Sequence, residues 1–211
     1  EAVRLEGEAV VRCTGGACPA QLREEILHFV QRNAMNIEGV GPSLVQQLLD
    51  NNLLKDVGDL YYLKKEDLIE LERMDEKSSQ NVIDALEKSK DNSLAQLIFG
   101  LGIRHVGNRV AQFLAQNYED IDAIFVTNKD ELSAINEIGP KIAQSIVTYF
   151  DQEQNKEIIE KLRKAGVNLE SDFQQLDQSL EDTRFVITGS LDDYTRKEAK
   201  EAITKLGGRV T

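Results

Sequence analysis

Apolar positions recur along this chain at helical spacing and are broken by short turns. Leu22, Ile26, Phe29 and Val30 line one face of a predicted helix over 19–33. The run Ile37-Glu38-Gly39-Val40-Gly41-Pro42-Ser43-Leu44 follows, and Leu44, Val45, Leu48 and Leu49 carry the pattern onward. Gly39 and Gly41 are able to take the positive φ angles of a tight reversal. Pro42 suits the first position of a helix, where its missing N–H costs nothing. The stretch is read as helix, hairpin, helix. The backbone N–H groups collected at the second helix's start form a site the size of a phosphate.

The stretch recurs. Ile103-Arg104-His105-Val106-Gly107-Asn108-Arg109-Val110 and Ile135-Asn136-Glu137-Ile138-Gly139-Pro140-Lys141-Ile142 match it, with Gly107 and Gly139 in the place of Gly41. Leu71-Glu72-Arg73-Met74-Asp75-Glu76-Lys77-Ser78 is a degenerate fourth copy. Inward pairs keep step: Leu44 with Leu48, Ser78 with Val82, Val110 with Leu114, Ile142 with Ile146. The elements entering the second and fourth copies also align: Leu60 with Ile124, Tyr61 with Phe125, Leu68 with Leu132. A unit that recurs at a fixed period and cannot bury its own apolar face implies an array. The fold class is therefore mainly α, a tandem helix-hairpin-helix array over 21–168. Leu94, Leu97, Ile98 and Leu101 mark a strongly apolar helix at its centre. A last amphipathic helix over 153–165 is ended by Gly166.

The flanks differ in character. Residues 1–20 suggest a small β-ribbon, too short to bury a core. Cys13-Thr14-Gly15-Gly16-Ala17-Cys18 has the form of half a four-cysteine zinc site, or of two unconnected thiols beside a loop. Neither His28 nor His105 is placed to complete it, so the other two ligands would precede Glu1. Residues 169–181 are polar and suggest a linker. The segment 182–211 changes to strand, helix, strand: a β run at Arg184-Phe185-Val186-Ile187-Thr188-Gly189, a helix over 195–206 with Thr195 as its cap, and a Gly207-Gly208 turn into a second strand. This is the opening of a truncated α/β domain. With a first residue of Glu1 and no closing helix before Thr211, the 211 residues are expected to be part of a larger protein.

Composition alters this picture in one respect. The formal net charge of -12 argues against a strongly basic nucleic-acid protein. A hairpin array, however, reaches phosphates mainly through backbone N–H groups, so overall sign misleads. The acidic residues would then lie on faces turned away, and Glu66-Asp67 and Glu119-Asp120 are read as helix starts. No apolar run approaches the ~20 residues of a membrane span. No secretory leader is recognisable. Two cysteines are too few for a disulfide framework, and a reduced, cytoplasmic setting follows.

Three features in this order resemble the C-terminal half of the bacterial NAD-dependent DNA ligases, over essentially the whole chain. Arg12-Cys13-Thr14-Gly15-Gly16 with Cys18-Pro19-Ala20-Gln21 looks like the second half of that family's zinc finger. The four hairpins look like its helix-hairpin-helix domain. Phe185-Val186-Ile187-Thr188-Gly189 with Leu206-Gly207-Gly208 looks like the start of its BRCT domain, Thr188-Gly189 being the turn after the first strand. The resemblance implies that the complete enzyme seals nicks in duplex DNA during replication and repair, using NAD and Mg²⁺ in domains absent here. A Lys-x-Asp-Gly adenylation motif is missing from these residues, so no catalytic residue is assigned. Two of four zinc ligands, Cys13 and Cys18, are implied. The array is expected to grip phosphates of nicked duplex DNA without sequence preference, as a monomer in the bacterial cytoplasm at the nucleoid.

The DNA-contact residues expected are Gly39, Gly41, Gly107 and Gly139, with Arg104, His105, Arg109 and Lys141 beside the turns. Positive φ is expected at Gly107 and Gly139 as at Gly41. In the second copy Arg73, Asp75 and Glu76 replace the glycine-rich turn. Asp75 and Glu76 would repel a phosphate, the turn is expected to be reshaped, and that copy to be a packing element. The alternative assignment is a non-catalytic helix-hairpin-helix scaffold or excision-repair component. The cysteine ribbon and the BRCT-like start weigh against it.

Overall fold

A computed structural model describes residues 2–4, 11–13, 19–135, 137–171, 180, 183–189, 194–205 and 208–210. They fall in two compact units, 1–170 and 171–211. The first opens on a ribbon in which β1 (Ala2–Arg4) pairs antiparallel with β2 (Val11–Cys13), Ala2 facing Cys13.

The four predicted hairpins are each a pair of packed helices. α1 (Pro19–Val30) packs on α2 (Pro42–Asp50), and α3 (Lys65–Ile69) on α4 (Glu76–Ser89). α5 (Leu94–Gly100) packs on α6 (Asn108–Asn117), and α8 (Lys129–Ala134) on α9 (Pro140–Asp151). α1 stops three residues short of the expected 33. The chain turns there because the Met35 and Ile37 amides donate to the carbonyls of Phe29 and Val30. A 3₁₀ turn (Val57–Tyr62) leads into α3, and α7 (Ile121–Phe125) leads into α8. The matched positions in these leads behave alike. Leu60, Ile124, Leu68 and Leu132 are buried, and Tyr61 and Phe125 are half-buried. The acidic pairs are helix starts, as expected: Asp120 accepts the Ala123 amide at 2.7 Å and Asp67 accepts that of Lys64 at 2.9 Å.

α5 is the centre of this core. Leu94, Leu97, Ile98 and Leu101 are all buried, and α5 packs on both α1 and α6. Each buried aliphatic side chain of this size contributes about 1.5–3 kcal/mol. α10 (Glu153–Lys164) adds Ile158, Ile159 and Leu162 and packs on α9 and the 3₁₀ turn. Gly166, at φ +83°, ends it: its amide donates to Arg163 and that of Val167 to Leu162, the paired bonds of a Schellman cap. The Lys161 ammonium donates to Asp56 at 2.5 Å and Asp59 at 2.7 Å, tying α10 to the 3₁₀ turn. Burial opposes that charge, but the two carboxylates outweigh it and raise the Lys161 pKa above its ordinary value. The array ends two residues later than expected. Leu169 is buried, its carbonyl accepts the Ile121 amide, and Glu170 bridges to Asp120. Of the expected linker, residues 172–179 lie outside the described residues.

In the second unit β3 (Arg184–Phe185) pairs parallel with β4 (Arg209–Val210), joined through α11 (Arg196–Lys205). This is the strand, helix, strand order read from the sequence, with a shorter first strand. Thr195 caps α11 as expected: the Glu198 amide donates to its hydroxyl, and its own amide donates to the Glu198 carboxylate at 2.8 Å. Gly189 turns at φ +78° and its carbonyl accepts a bond from Arg196. A Cβ on Gly208 would lie 2.6 Å from Ile203 and 3.0 Å from Phe185, so helix and strand meet only over a glycine. Leu206 and Gly207 lie outside the described residues.

Candidate nucleic-acid interface

Every hairpin has a left-handed residue at the same place in the repeat, and the first and third have another, three residues earlier, at Asn36 (φ +49°) and Gly102 (+67°). The shared residues are Gly39 (φ +88°), Arg73 (+62°), His105 (+65°) and Glu137 (+73°). Two residues later comes a helix N-cap with extended backbone: Gly41 (φ -101°), Asp75 (-127°), Gly107 (-89°) and Gly139 (-78°). Two expectations are corrected. Gly41, Gly107 and Gly139 do not take positive φ, because the left-handed residues before them complete the reversal and an N-cap belongs in the β region. Nor is the second turn reshaped by its lack of glycine. The apolar flanks fix the same path in all four, with Ile37, Leu71, Ile103, Val40, Val106 and Ile138 buried and Met74 and Ile135 half-buried. That burial offsets the ~1 kcal/mol that a non-glycine residue loses in the left-handed region. Gly39 has a further constraint, since a Cβ there would lie 2.9 Å from Val82 on α4.

The four helix starts differ in what occupies their donors. The first amides of any helix lack intrahelical acceptors and need something else. At α4 the Asp75 carboxylate accepts the Ser78 amide at 2.7 Å, and the Asp75 amide donates to the Ser78 hydroxyl at 2.8 Å. Hydrogen bonds from the Ser78 amide, then its hydroxyl, hold the Asp75 carboxyl below the ordinary carboxylate range. This copy is closed by its own anion. At α2, α6 and α9 no side chain caps the helix. A Cβ at Gly41, Gly107 or Gly139 would meet no protein atom within 4 Å. Neither fold nor dihedral angle demands glycine at these three positions. What glycine leaves there is bare space over a set of amide donors, open to a tetrahedral anion.

The predicted cations are distributed less simply. Arg109, the second residue of α6, reaches Glu137 of the fourth hairpin at 2.8 Å and lies 5.7 Å from the centre of the Phe113 ring. Lys141 is exposed on the first turn of α9. His105 is exposed and supplies its hairpin's left-handed residue, a role histidine fills more readily than most. Arg104 lines a cavity of about 520 Å³ with Glu24, Glu25, Tyr149 and Asn155. Burial raises the Glu25 pKa there; burial, then the Glu25 charge, raises that of Tyr149. The structure thus joins Arg109 to the fourth hairpin and places Arg104 in a cavity beside α1. Sequence reasoning passed over Glu137. Its signal was the alignment, which sets it level with Gly39 and His105.

Cys18 and the Cys13 side chain lie outside the described residues. Among the described residues no group of three His, Cys, Asp or Glu side chains is placed to hold a metal ion. Two thiols alone do not fill a tetrahedral zinc site. Among the same residues no helix is long and apolar enough to cross a membrane.

Four helix pairs joined by a common turn define a tandem helix-hairpin-helix domain, and the second unit is an incipient α/β domain. Family models agree: a SAM-like helix-hairpin-helix tandem matches residues 32–88, a helix-hairpin-helix motif 96–159, and a BRCA1 C-terminus (BRCT) domain 175–211. Over its whole length the chain is 53% identical to a DNA ligase of Halothermothrix orenii and 49% identical to one of Carboxydothermus hydrogenoformans. A DNA ligase of Anoxybacillus flavithermus is 49% identical, again over the whole chain. The chain spans about a third of the length of these relatives, 32% of each. It belongs to the DNA ligase family, with the domain order of that family's C-terminal part.

Proposed function

We propose that this chain is the portion of an NAD-dependent DNA ligase that holds nicked duplex DNA by its phosphates, without reading sequence. The observation that carries the proposal is the contrast between three glycine N-caps open to an anion and one copy closed by Asp75. Phosphate contacts position a protein on a duplex and carry no sequence information directly. Hairpins one, three and four make these contacts, and hairpin two packs. Gly41, Gly107 and Gly139 let the backbone close on the phosphates, while Gly39 and His105 shape the turns. Arg109 and Lys141 supply charge, and Arg104 a more distant contribution. The complete protein, a monomer working at the nucleoid, seals nicks with NAD and Mg²⁺ acting in domains beyond these residues. Cys13 and Cys18 are half of a structural zinc site whose other ligands lie outside this chain.

Binding of one nicked duplex, measured against salt, tests the proposal. Backbone donors carry no net charge, so the slope of log K against log salt reflects the cations. With Arg109 and Lys141 each neutralising at most one phosphate, the slope is no steeper than about -2, at -0.9 per phosphate. Duplexes of unrelated sequence should bind equally. Failure to bind any duplex at low salt, or a strong preference for one sequence, would refute it.

A further inference from the structure

Glu137 is doubly out of place at a phosphate-binding turn. It holds the left-handed position that glycine holds in the first hairpin, at φ +73°, and it sets a carboxylate two residues before the open cap at Gly139. Its visible partner is Arg109, 2.8 Å away on the first turn of the neighbouring hairpin's second helix. Both side chains face solvent, Arg109 71% and Glu137 43% exposed. An ion pair so placed is weak enough to exchange partners. Both caps beside it, Gly107 and Gly139, are uncapped by any side chain.

We infer that Glu137 is a stand-in for DNA phosphate. In the free protein it occupies the Arg109 guanidinium and bridges the third and fourth hairpins, and on binding Arg109 exchanges this carboxylate for a backbone phosphate. Glu137 thereby sets how tightly, and with what salt dependence, these two hairpins hold a duplex. The inference rests on the phosphate reading of the hairpins given above. It makes Glu137 a positioning residue acting through Arg109, distinct from a charge that merely repels DNA at a distance. A repelling charge would act whether or not Arg109 were present; an exchanging one would not.

A double-mutant cycle separates the two. The 211-residue parent, Glu137→Gln, Arg109→Gln and the double variant are titrated with one nicked duplex from low to moderate salt, after circular dichroism shows all four folded. Glu137→Gln should bind about threefold tighter than the parent at ~0.1 M salt, within the range of a surface ion pair. Its salt slope should be steeper, because no carboxylate is left to recruit a counterion when Arg109 departs. Arg109→Gln should bind more weakly, and adding Glu137→Gln to it should change nothing further. A gain that persists without Arg109 would overturn the exchange, leaving Glu137 a remote repeller. Weaker binding by Glu137→Gln would overturn it by showing the pair to be a brace needed in the complex. An unchanged affinity would overturn it as well. A parent that binds no duplex would instead sink the hairpin reading, and the exchange with it.

Discussion

Gly107→Asp would install at the third hairpin the cap that Asp75 provides at the second, and should move stability and DNA binding in opposite directions. Gly107 has the extended backbone of an N-cap, φ -89° and ψ 177°, close to the -127° and 179° of Asp75. A Cβ there meets nothing within 4 Å, so the side chain enters without strain. Its carboxylate then reaches the amide of Val110, as Asp75 reaches that of Ser78. Replacing a bare cap by an ionised one contributes about 0.5–1 kcal/mol. Losing a glycine from the unfolded chain contributes about 0.4–1 kcal/mol more. Together they stabilise the fold by about 1 kcal/mol, roughly 3 °C in Tm for a chain of this size. Binding should fall. The amides that would bond a charged phosphate oxygen are now occupied, and such bonds are worth about 1.5–3 kcal/mol each. Like-charge repulsion across ~5 Å of water adds about 0.8 kcal/mol. A net loss of at least about 2.3 kcal/mol is roughly fiftyfold or more in Kd. Differential scanning calorimetry and fluorescence anisotropy on a labelled nicked duplex read the two quantities on the same samples. Gly107→Ala is the control for bulk without charge and should lose only a few-fold. A Gly107→Asp variant that gains stability yet binds like the parent would show that these amides face no phosphate. A variant that loses stability would show that the N-cap geometry has been misjudged.

Two further perturbations probe the scaffold. Lys161→Met should cost about 1–2 kcal/mol in urea unfolding, because Asp56 and Asp59 are left facing each other on a partly shielded surface; a neutral result would mean that α10 is held by its apolar face alone. Asp75 has a depressed pKa in the folded protein, so the stability it contributes is present above the ordinary carboxylate value and is lost as pH falls below it. The difference in unfolding midpoint between the parent and Asp75→Ala should accordingly be constant from pH 7 to about 5 and shrink below ~4; a difference independent of pH would remove the carboxylate from the cap.

The repeat and most of its helices were legible in the chain itself, because helical periodicity and turn chemistry are local. Apolar residues three and four apart leave little choice of face, and Pro42 and Pro140 announce helix starts. The alignment of Leu60 with Ile124 and of Leu68 with Leu132 carried over to the core because equivalent repeats bury equivalent side chains. Gly41, Gly107 and Gly139 stand out in the alignment, but the positive φ expected of them is not the conformation they have. Dihedral angles depend on how the turn closes, and closure is made by flanking residues that pack on other helices. For the same reason Arg73 and Glu137 sit in a left-handed backbone that their residue types disfavour: the buried residues on either side decide the path, and propensity yields. The ion pair between Arg109 and Glu137 and the link from Lys161 to Asp56 join residues 28 and 105 positions apart in the chain, and Arg104 and Tyr149, 45 positions apart, line one cavity. No periodicity predicts such meetings, which exist only once the helices have packed.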